Sequence, residues 1–145
     1  MTIRAICGPP GSGKTFYVTE RAKPGELIID VDALFHALSS LPWYNKPRPL
    51  LKYVLAARDG ALDELERFQN IGAWIIADAP TRAERNALRD RFNAEVTVLE
   101  TPSGVCLERL AQDDRRPGQL AEWMPRVLSW WKRYEKDDRD LVITP

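Results

Sequence analysis

The sequence is short of everything that would mark a membrane, secreted or metal-cluster protein. No apolar run approaches the roughly 20 residues that cross a bilayer. Nothing at the start reads as a leader, because the chain enters a strand-like run at Ile3. The two cysteines, Cys7 in an expected strand and Cys106 in an expected helix, lack metal-ligand spacing. They read as reduced core thiols of an intracellular protein. The single histidine, His36, lies on a short apolar stretch and reads as packing. Lys plus Arg and Asp plus Glu are 21 each, so no global basic field points to nucleic acid, and any such contact needs a local patch. Internal repeats and low-complexity tails are absent. What remains is the expectation of a soluble, cytoplasmic, single-domain chain whose 145 residues suffice for one core.

Against these absences stands one dense motif, Gly8-Pro9-Pro10-Gly11-Ser12-Gly13-Lys14-Thr15. It satisfies G-x-x-x-x-G-K-[ST] at every fixed position, after an apolar run at 3–7 and before a helical run at 16–21. A glycine-rich turn between strand and helix points unpaired backbone N–H groups inward, where phosphate oxygens can accept them. Gly8, Gly11 and Gly13 allow backbone angles and approaches that a Cβ would block. Lys14 is placed for the β- and γ-phosphates and the Thr15 hydroxyl for Mg²⁺. The implied ligand is a nucleoside triphosphate, ATP with Mg²⁺ as cofactor.

Beyond the motif, strands and helices alternate. Residues 22–25, with Pro24 and Gly25, break the first helix. Residues 26–30 form an apolar strand, 31–38 a turn and short helix, and 41–49 a proline-interrupted loop. Leu51, Val54, Leu55, Leu62, Leu65 and Phe68 give residues 50–68 helical spacing. A strand over 72–78 ends in Asp78, and Thr81-Arg82-Ala83-Glu84 is a capping box opening a helix to Phe92. A strand follows at 95–99. Thr101 as N-cap and Pro102 at N1 are expected to open a helix reaching Ala111. A charged loop over 113–118 precedes an amphipathic helix with Leu120, Trp123, Met124, Val127, Leu128, Trp131 and Tyr134 on its stripe. Trp130 falls off that stripe and is a candidate contact surface. Residues 141–143 close the chain as a strand. The alternation predicts an α/β fold, a parallel sheet of five strands covered on both faces. Ligands of such sheets bind beyond the carboxyl ends of the strands, which gathers the motif, Asp30, Asp32 and Asp78 on one rim.

Phosphoryl transfer needs charge neutralisation, a metal and an oriented nucleophile. Asp78 is placed as a metal-side carboxylate, or as a cap for the turn at Ala79-Pro80. Asp32, one turn beyond the second strand, is the candidate base for an acceptor hydroxyl, with Asp30 the alternative and one of the two expected to cap the helix. Arg109, Arg115 and Arg116 lie before or within a lid-like loop around 109–118. From there an arginine can stabilise charge on the transferring group, and the competing reading is a solvated loop with local Asp–Arg pairs. Arg82 and Arg85 face either the acceptor side or water. Trp43, Tyr44, Lys46 and Arg48 mix aromatics with cations, which suits bases and phosphates and equally suits packing of the loop.

The chain resembles the small P-loop kinases grouped with polynucleotide 5′-hydroxyl kinases and zeta toxins. The resemblance spans most of its length. It rests on the phosphate-loop motif, on Ile29-Asp30-Val31-Asp32, on Ile75-Ile76-Ala77-Asp78, and on 102–109 leading to the lid-like loop. It implies a three-layer α/β/α P-loop fold with strand order 2-3-1-4-5. It also implies transfer of the ATP γ-phosphate to a hydroxyl, with the aspartate after the second strand as base. Two positions depart from the group. Phe35 stands three after Asp32, where an arginine often grips a substrate phosphate, and Asp78-Ala79-Pro80-Thr81 lacks the usual polar Asn-Thr-Asn character.

The leading expectation is therefore a kinase acting on a nucleic-acid 5′-hydroxyl or a nucleotide. The alternative is an ATPase or nucleotide switch working with a protein or DNA partner. A third reading is a binding module that keeps ATP for stability. No membrane partner is expected.

Overall fold

The computed structural model describes residues 1–116 and 120–145. At its centre lies β1 (Ile3–Cys7), which pairs in parallel with β3 (Ala73–Ala77) on one side and β4 (Glu95–Leu99) on the other. The short β2 (Leu27–Ile29) adds beyond β3, and β5 (Leu141–Ile143) beyond β4. The strand order is β2-β3-β1-β4-β5, as the resemblance implies, and every pair is parallel, as the alternating pattern implies. Register sets Cys7 beside Ala77 and Val98, so the three central strands finish level. The loops that leave them share one rim.

The helices are α1 (Lys14–Thr19), α2 (Val31–Ser39), α3 (Leu51–Arg67), α4 (Arg82–Phe92), α5 (Ser103–Gln112) and α6 (Leu120–Arg133). Strand alternation sorts the sheet into two unequal faces. Ile3, Ala5, Cys7, Ile75, Val96 and Val98 point to one face and pack against Leu62 and Leu65 of α3, Phe92 of α4 and Trp130 of α6. Each such side chain contributes about 1.5–3 kcal/mol when fully buried. The other face meets the six-residue α1 through Val18, with Ile6, Trp74 and Leu99 beneath. Near the amino ends of the strands, the Arg4 guanidinium lies 4.9 Å over the Trp74 ring, and Trp74 Nε1 donates to Glu26 Oε1 at 3.1 Å. The buried indole therefore keeps its hydrogen bond.

Among the described residues, side-chain caps open α2 and α4. The capping box of α4 is complete, with Glu84 N donating to Thr81 Oγ1 at 3.2 Å and Thr81 N to Glu84 Oε2 at 3.1 Å. Three expectations are corrected. Helix α5 starts at Ser103 with Pro102 as its cap. Thr101 does not cap it, because its buried hydroxyl is taken by the carbonyl of Ser12, 3.0 Å away. Trp130 is no contact surface: it is 3 % exposed, whereas Met124 and Leu128 are 39 % and 48 % exposed. The buried stripe of α6 is Trp123, Val127 and Trp130, turned from the expected one because the Trp130 indole has a backbone acceptor inside the fold. Arg85 faces neither an acceptor nor water. It is buried, and its Nε donates to Asp140 Oδ2 at 2.8 Å. Both cysteines are free and buried, and burial pushes the Cys7 thiol up to about 12. No helix among the described residues is long and apolar enough to cross a membrane.

Candidate functional site

Residues 8–15 carry the chain from the end of β1 into α1. Gly11 and Gly13 sit at φ +77° and +93°, backbone that glycine adopts without steric cost. A Cβ on Gly11 would lie 2.8 Å from the Cys106 carbonyl, and one on Gly8 would lie 2.7 Å from Ser12 Oγ. The loop is braced from behind: Thr101 Oγ1 and Arg109 Nη1 both donate to Ser12 O, at 3.0 and 3.1 Å. Arg109 thus sits inside α5 against the phosphate loop, at the fixed end of the expected lid. Lys14 reaches back over the turn, donating to Gly8 O at 2.7 Å, Pro9 O at 3.0 Å and Asp78 Oδ1 at 3.1 Å.

Asp30 and Asp32 take different stations. Asp30 is the N-cap of α2, its Oδ1 accepting from Asp32 N at 3.0 Å. Its other oxygen accepts from Thr15 Oγ1 at 3.0 Å, which ties the cap to the first turn of α1. Burial, followed by the neighbouring Asp32 charge, raises the Asp30 carboxyl above the usual range. Asp32 is left free of capping duty. Its Oδ1 accepts from Lys46 Nζ at 2.9 Å, each side chain being under one-third exposed.

Asp78 follows β3 and is fixed through its backbone. Its carbonyl accepts from Trp130 Nε1 at 2.8 Å and from Gly8 N at 3.3 Å. The next residue, Ala79, turns at φ +39°, an unusual angle for a residue with a side chain. Arg85 Nη1 holds that turn by donating to Ala79 O at 2.9 Å and Pro80 O at 2.8 Å. Arg85 Nη2 also donates to Glu135 O. Thr101, Trp130 and Arg85 are the supports that sequence reasoning missed. The partners of Thr101 and Trp130 lie 89 and 52 residues away, and Arg85 joins the nearby Ala79 and Pro80 carbonyls to Glu135 and Asp140, 50 and 55 residues away, so no local spacing advertises them.

A cleft of about 890 Å³ joins these groups to a second cluster containing Tyr44, Lys46, Arg116 and Trp123. Arg115 Nε and Arg116 Nε pair with the two Asp113 oxygens at 2.9 and 3.3 Å. The Arg115 hydrogen bonds hold the Asp113 carboxyl below its ordinary range. Pro117 and Gly118 of the expected lid lie outside the described residues. His36 packs, as expected: its ring is 5.3 Å from that of Trp43, and Nδ1 lies 2.8 Å from Leu41 O.

The geometry suits a Mg-nucleotide. The loop is shaped for close backbone approach, and Ser12 Oγ is a buried polar atom with no partner among the described residues. The oxygens of Thr15, Asp30 and Asp78 are the hard donors that Mg²⁺ prefers. No cluster of three His, Cys, Asp or Glu able to hold a metal occurs among the described residues. Mg²⁺ at a phosphate site is commonly held by one or two protein oxygens together with substrate phosphates and water.

A strand, phosphate loop and helix in a parallel sheet of this order define the P-loop kinase-like class. Residues 4–134 match the family described as "AAA domain" (AAA_33), and the chain belongs to it. Its fold is shared with a shikimate kinase from Bacteroides thetaiotaomicron (TM-score 0.62, 13 % identity, covering 99 % of this chain and 86 % of that one). It is also similar to a gluconokinase from Sinorhizobium meliloti 1021 (TM-score 0.60, 19 % identity, covering 99 % and 81 %). A third similar structure is the tunicamycin resistance protein of Deinococcus radiodurans (TM-score 0.55, 22 % identity, covering 99 % and 85 %). No curated protein matches the sequence. At these identities the likeness speaks for the fold alone.

Proposed function

We propose that this protein is a Mg-ATP-dependent kinase that moves the γ-phosphate to an acceptor hydroxyl, with Asp32 as general base. The carrying observation is the division of labour between the two aspartates. Asp30 is consumed by the α2 cap and the Thr15 hydroxyl. Asp32 stands in the same cleft as the phosphate loop with no structural task except its contact to Lys46.

The loop N–H groups and Lys14 would hold the β- and γ-phosphates. Bound Mg²⁺ would neutralise charge across those phosphate oxygens. Thr15 would be its protein ligand, and Asp30 and Asp78 would orient it directly or through water. The acceptor oxygen bonds to the γ-phosphorus as the bond from that phosphorus to the bridging oxygen breaks, and ADP leaves with the electron pair. Asp32 takes the hydroxyl proton. Arg116 or Arg115 would offset charge on the phosphoryl group from the loop after α5, while Arg109 braces the phosphate loop. The aromatic and basic lining of the cleft favours a nucleotide or a nucleic-acid 5′-hydroxyl as acceptor. Named kinases of similar fold, the shikimate kinase and the gluconokinase, add small metabolites to the acceptors worth testing.

One observation favours a second reading, an ATPase or switch that works with a protein or DNA partner: Lys46 already occupies Asp32. The two separate with γ-labelled ATP, Mg²⁺ and a panel of 5′-hydroxyl DNA and RNA oligonucleotides, nucleoside monophosphates, gluconate and shikimate. Label on one acceptor, absent from the no-acceptor control, supports the kinase. Equal release of inorganic phosphate in every tube supports the ATPase.

A further inference from the structure

Beyond Asp32 the cleft carries a concentration of positive charge that the chain as a whole does not. Three cations from three separate segments converge on the ring of Trp123. The Arg116 guanidinium carbon lies 4.7 Å from the ring centroid, that of Arg126 lies 5.1 Å away, and Lys46 Nζ lies 5.9 Å away. Tyr44 closes the group, its ring edge-on to Trp123 at 6.5 Å and 3.8 Å from the Arg116 guanidinium. Tyr44 is buried at φ +69°, a left-handed angle that a bulky residue keeps only where its surroundings enforce it.

Aromatic faces attract each cation, but they do not cancel repulsion among cations lying within roughly 11 Å of one another. Among the described residues, two carboxylates pair with these cations. Asp32 serves Lys46, and Asp113 is divided between Arg116 and Arg115. Arg126 has no carboxylate within 4.0 Å among the described residues. Arg133 lies two helical turns further along α6, on the same side, and lines the same cleft, paired there with Glu84 at 3.3 Å. Asp32, the base of the proposed reaction, thus doubles as a counter-ion.

We infer that the acceptor carries an anionic group, a phosphate or a carboxylate, which seats over Trp123 among Lys46, Arg116 and Arg126, and that its arrival draws Lys46 off Asp32. This rests on the kinase reading and adds the chemical class of the acceptor. The anion takes over the charge that Asp32 balances, so a carboxylate oxygen turns to the acceptor hydroxyl only when a charged acceptor is bound. Neutral polyols and unphosphorylated nucleosides are then poor substrates, because they leave Lys46 on the base. Selectivity comes from a second negative charge in the acceptor, read at a distance from the reacting hydroxyl.

The test uses the full chain saturated with Mg·AMP-PNP, which keeps added anions off the phosphate loop. Inorganic phosphate, malonate and glycerol are titrated while the five indole N–H resonances are followed, that of Trp123 being assigned with Trp123→Phe. Phosphate or malonate should move the Trp123 resonance saturably, and glycerol should not. Lys46→Met combined with Arg126→Gln should weaken that binding at least tenfold and leave the remote Trp74 resonance in place as a control for folding. A response to phosphate alone assigns the pocket to phosphorylated acceptors, and a response to both anions assigns it to anions generally. An unmoved Trp123 resonance, an equal response to glycerol, or unchanged binding in the double variant overturns the inference. Label transfer to paired acceptors, ribose against ribose 5-phosphate and glucose against gluconate, separates the two readings. A labelled neutral member overturns the anionic pocket and keeps the kinase. Anion binding with only inorganic phosphate released overturns the kinase and keeps the pocket.

Discussion

The two halves of the cleft are built in opposite ways. The nucleotide half is eight consecutive residues, 8–15, clamped from behind by Thr101 and Arg109 on a single carbonyl. The acceptor half is assembled from Asp32 on α2, Tyr44 and Lys46 on the following loop, Arg116 after α5, and Trp123 and Arg126 on α6. A bound triphosphate has fixed chemistry, and a rigid backbone cradle serves it. The proposed acceptor half would recognise with side chains drawn from two loops and two helices outside the sheet, where charge and shape can change without disturbing the strands. Lys46 is where the halves interact, since its ammonium sits on the residue proposed to do the chemistry for both.

The largest effects should come from breaking one half at a time. Asp32→Asn removes the base and should lower label transfer roughly 10²–10⁴-fold, with the affinity for Mg-ATP unchanged in a direct titration. Lys14→Met should weaken both nucleotide binding and transfer, because its charge serves the phosphates themselves. Equal loss of ATP affinity in both variants would merge the two halves and defeat the distinction.

Next in size is a structural break that reaches the site from outside. Arg85→Met would leave the buried Asp140 to Arg89 alone and release the Ala79–Pro80 turn behind Asp78. Removing one partner of a buried pair costs about 3–5 kcal/mol, read as the change in unfolding free energy from urea melts. A loss within the usual range for exposed pairs, below about 1 kcal/mol, would show the network to be dispensable.

Lys46→Met should give a smaller change of opposite sign. With its counter-ion gone, Asp32 is free to activate water, and acceptor-independent ATP hydrolysis should rise several-fold while transfer to an anionic acceptor falls. A coupled release of inorganic phosphate counts the first, and labelled product the second. If hydrolysis stays flat, Lys46 does not restrain the base.

The same contrast explains what the sequence makes legible. The phosphate loop is read directly, because its chemistry requires particular residues at fixed neighbouring positions. The sheet follows from alternation of short apolar runs with amphipathic ones, and β1, β3 and β4 fall where those runs stand. The roles of Thr101, Trp130 and Arg85 are not legible, because each depends on a partner that only tertiary folding brings within reach, a backbone carbonyl for the first two and the Asp140 carboxylate for Arg85. Thr101 is instructive: Thr-Pro before a helix reads as a cap, yet its hydroxyl donates to a distant carbonyl and accepts from no helix N–H. The Trp123 cluster was half visible, as aromatic and basic residues in 43–48. Its other members lie on α6 and in the charged loop, and nothing in one dimension joins them.

The smallest effect concerns Asp30, the residue that borders both halves. Its carboxyl is raised, first by burial and then by Asp32, against the pull of Thr15, the Asp32 N–H and Lys14. A carboxyl raised on folding binds its proton more tightly in the folded state, so the folded state is favoured at low pH. That benefit is complete below the ordinary value of 3.8 and is lost as pH rises through the folded value. At neutral pH the charged Asp30 is therefore a net cost to stability, kept for its place beside the Thr15 hydroxyl. Asp30→Asn keeps an acceptor for the Asp32 N–H and can still meet that hydroxyl, so it should raise Tm at pH 7, with the advantage shrinking as pH falls toward 3.8. Transfer should drop in the same variant, since a carboxylate beside Thr15 is gone. Thermal melts of the two proteins at pH 7, 5 and 4 read the first effect. A variant less stable at pH 7, with the gap closing in acid, would mean that hydrogen bonding outweighs burial at Asp30. The residue would then belong to the braced phosphate loop and not to the chemistry.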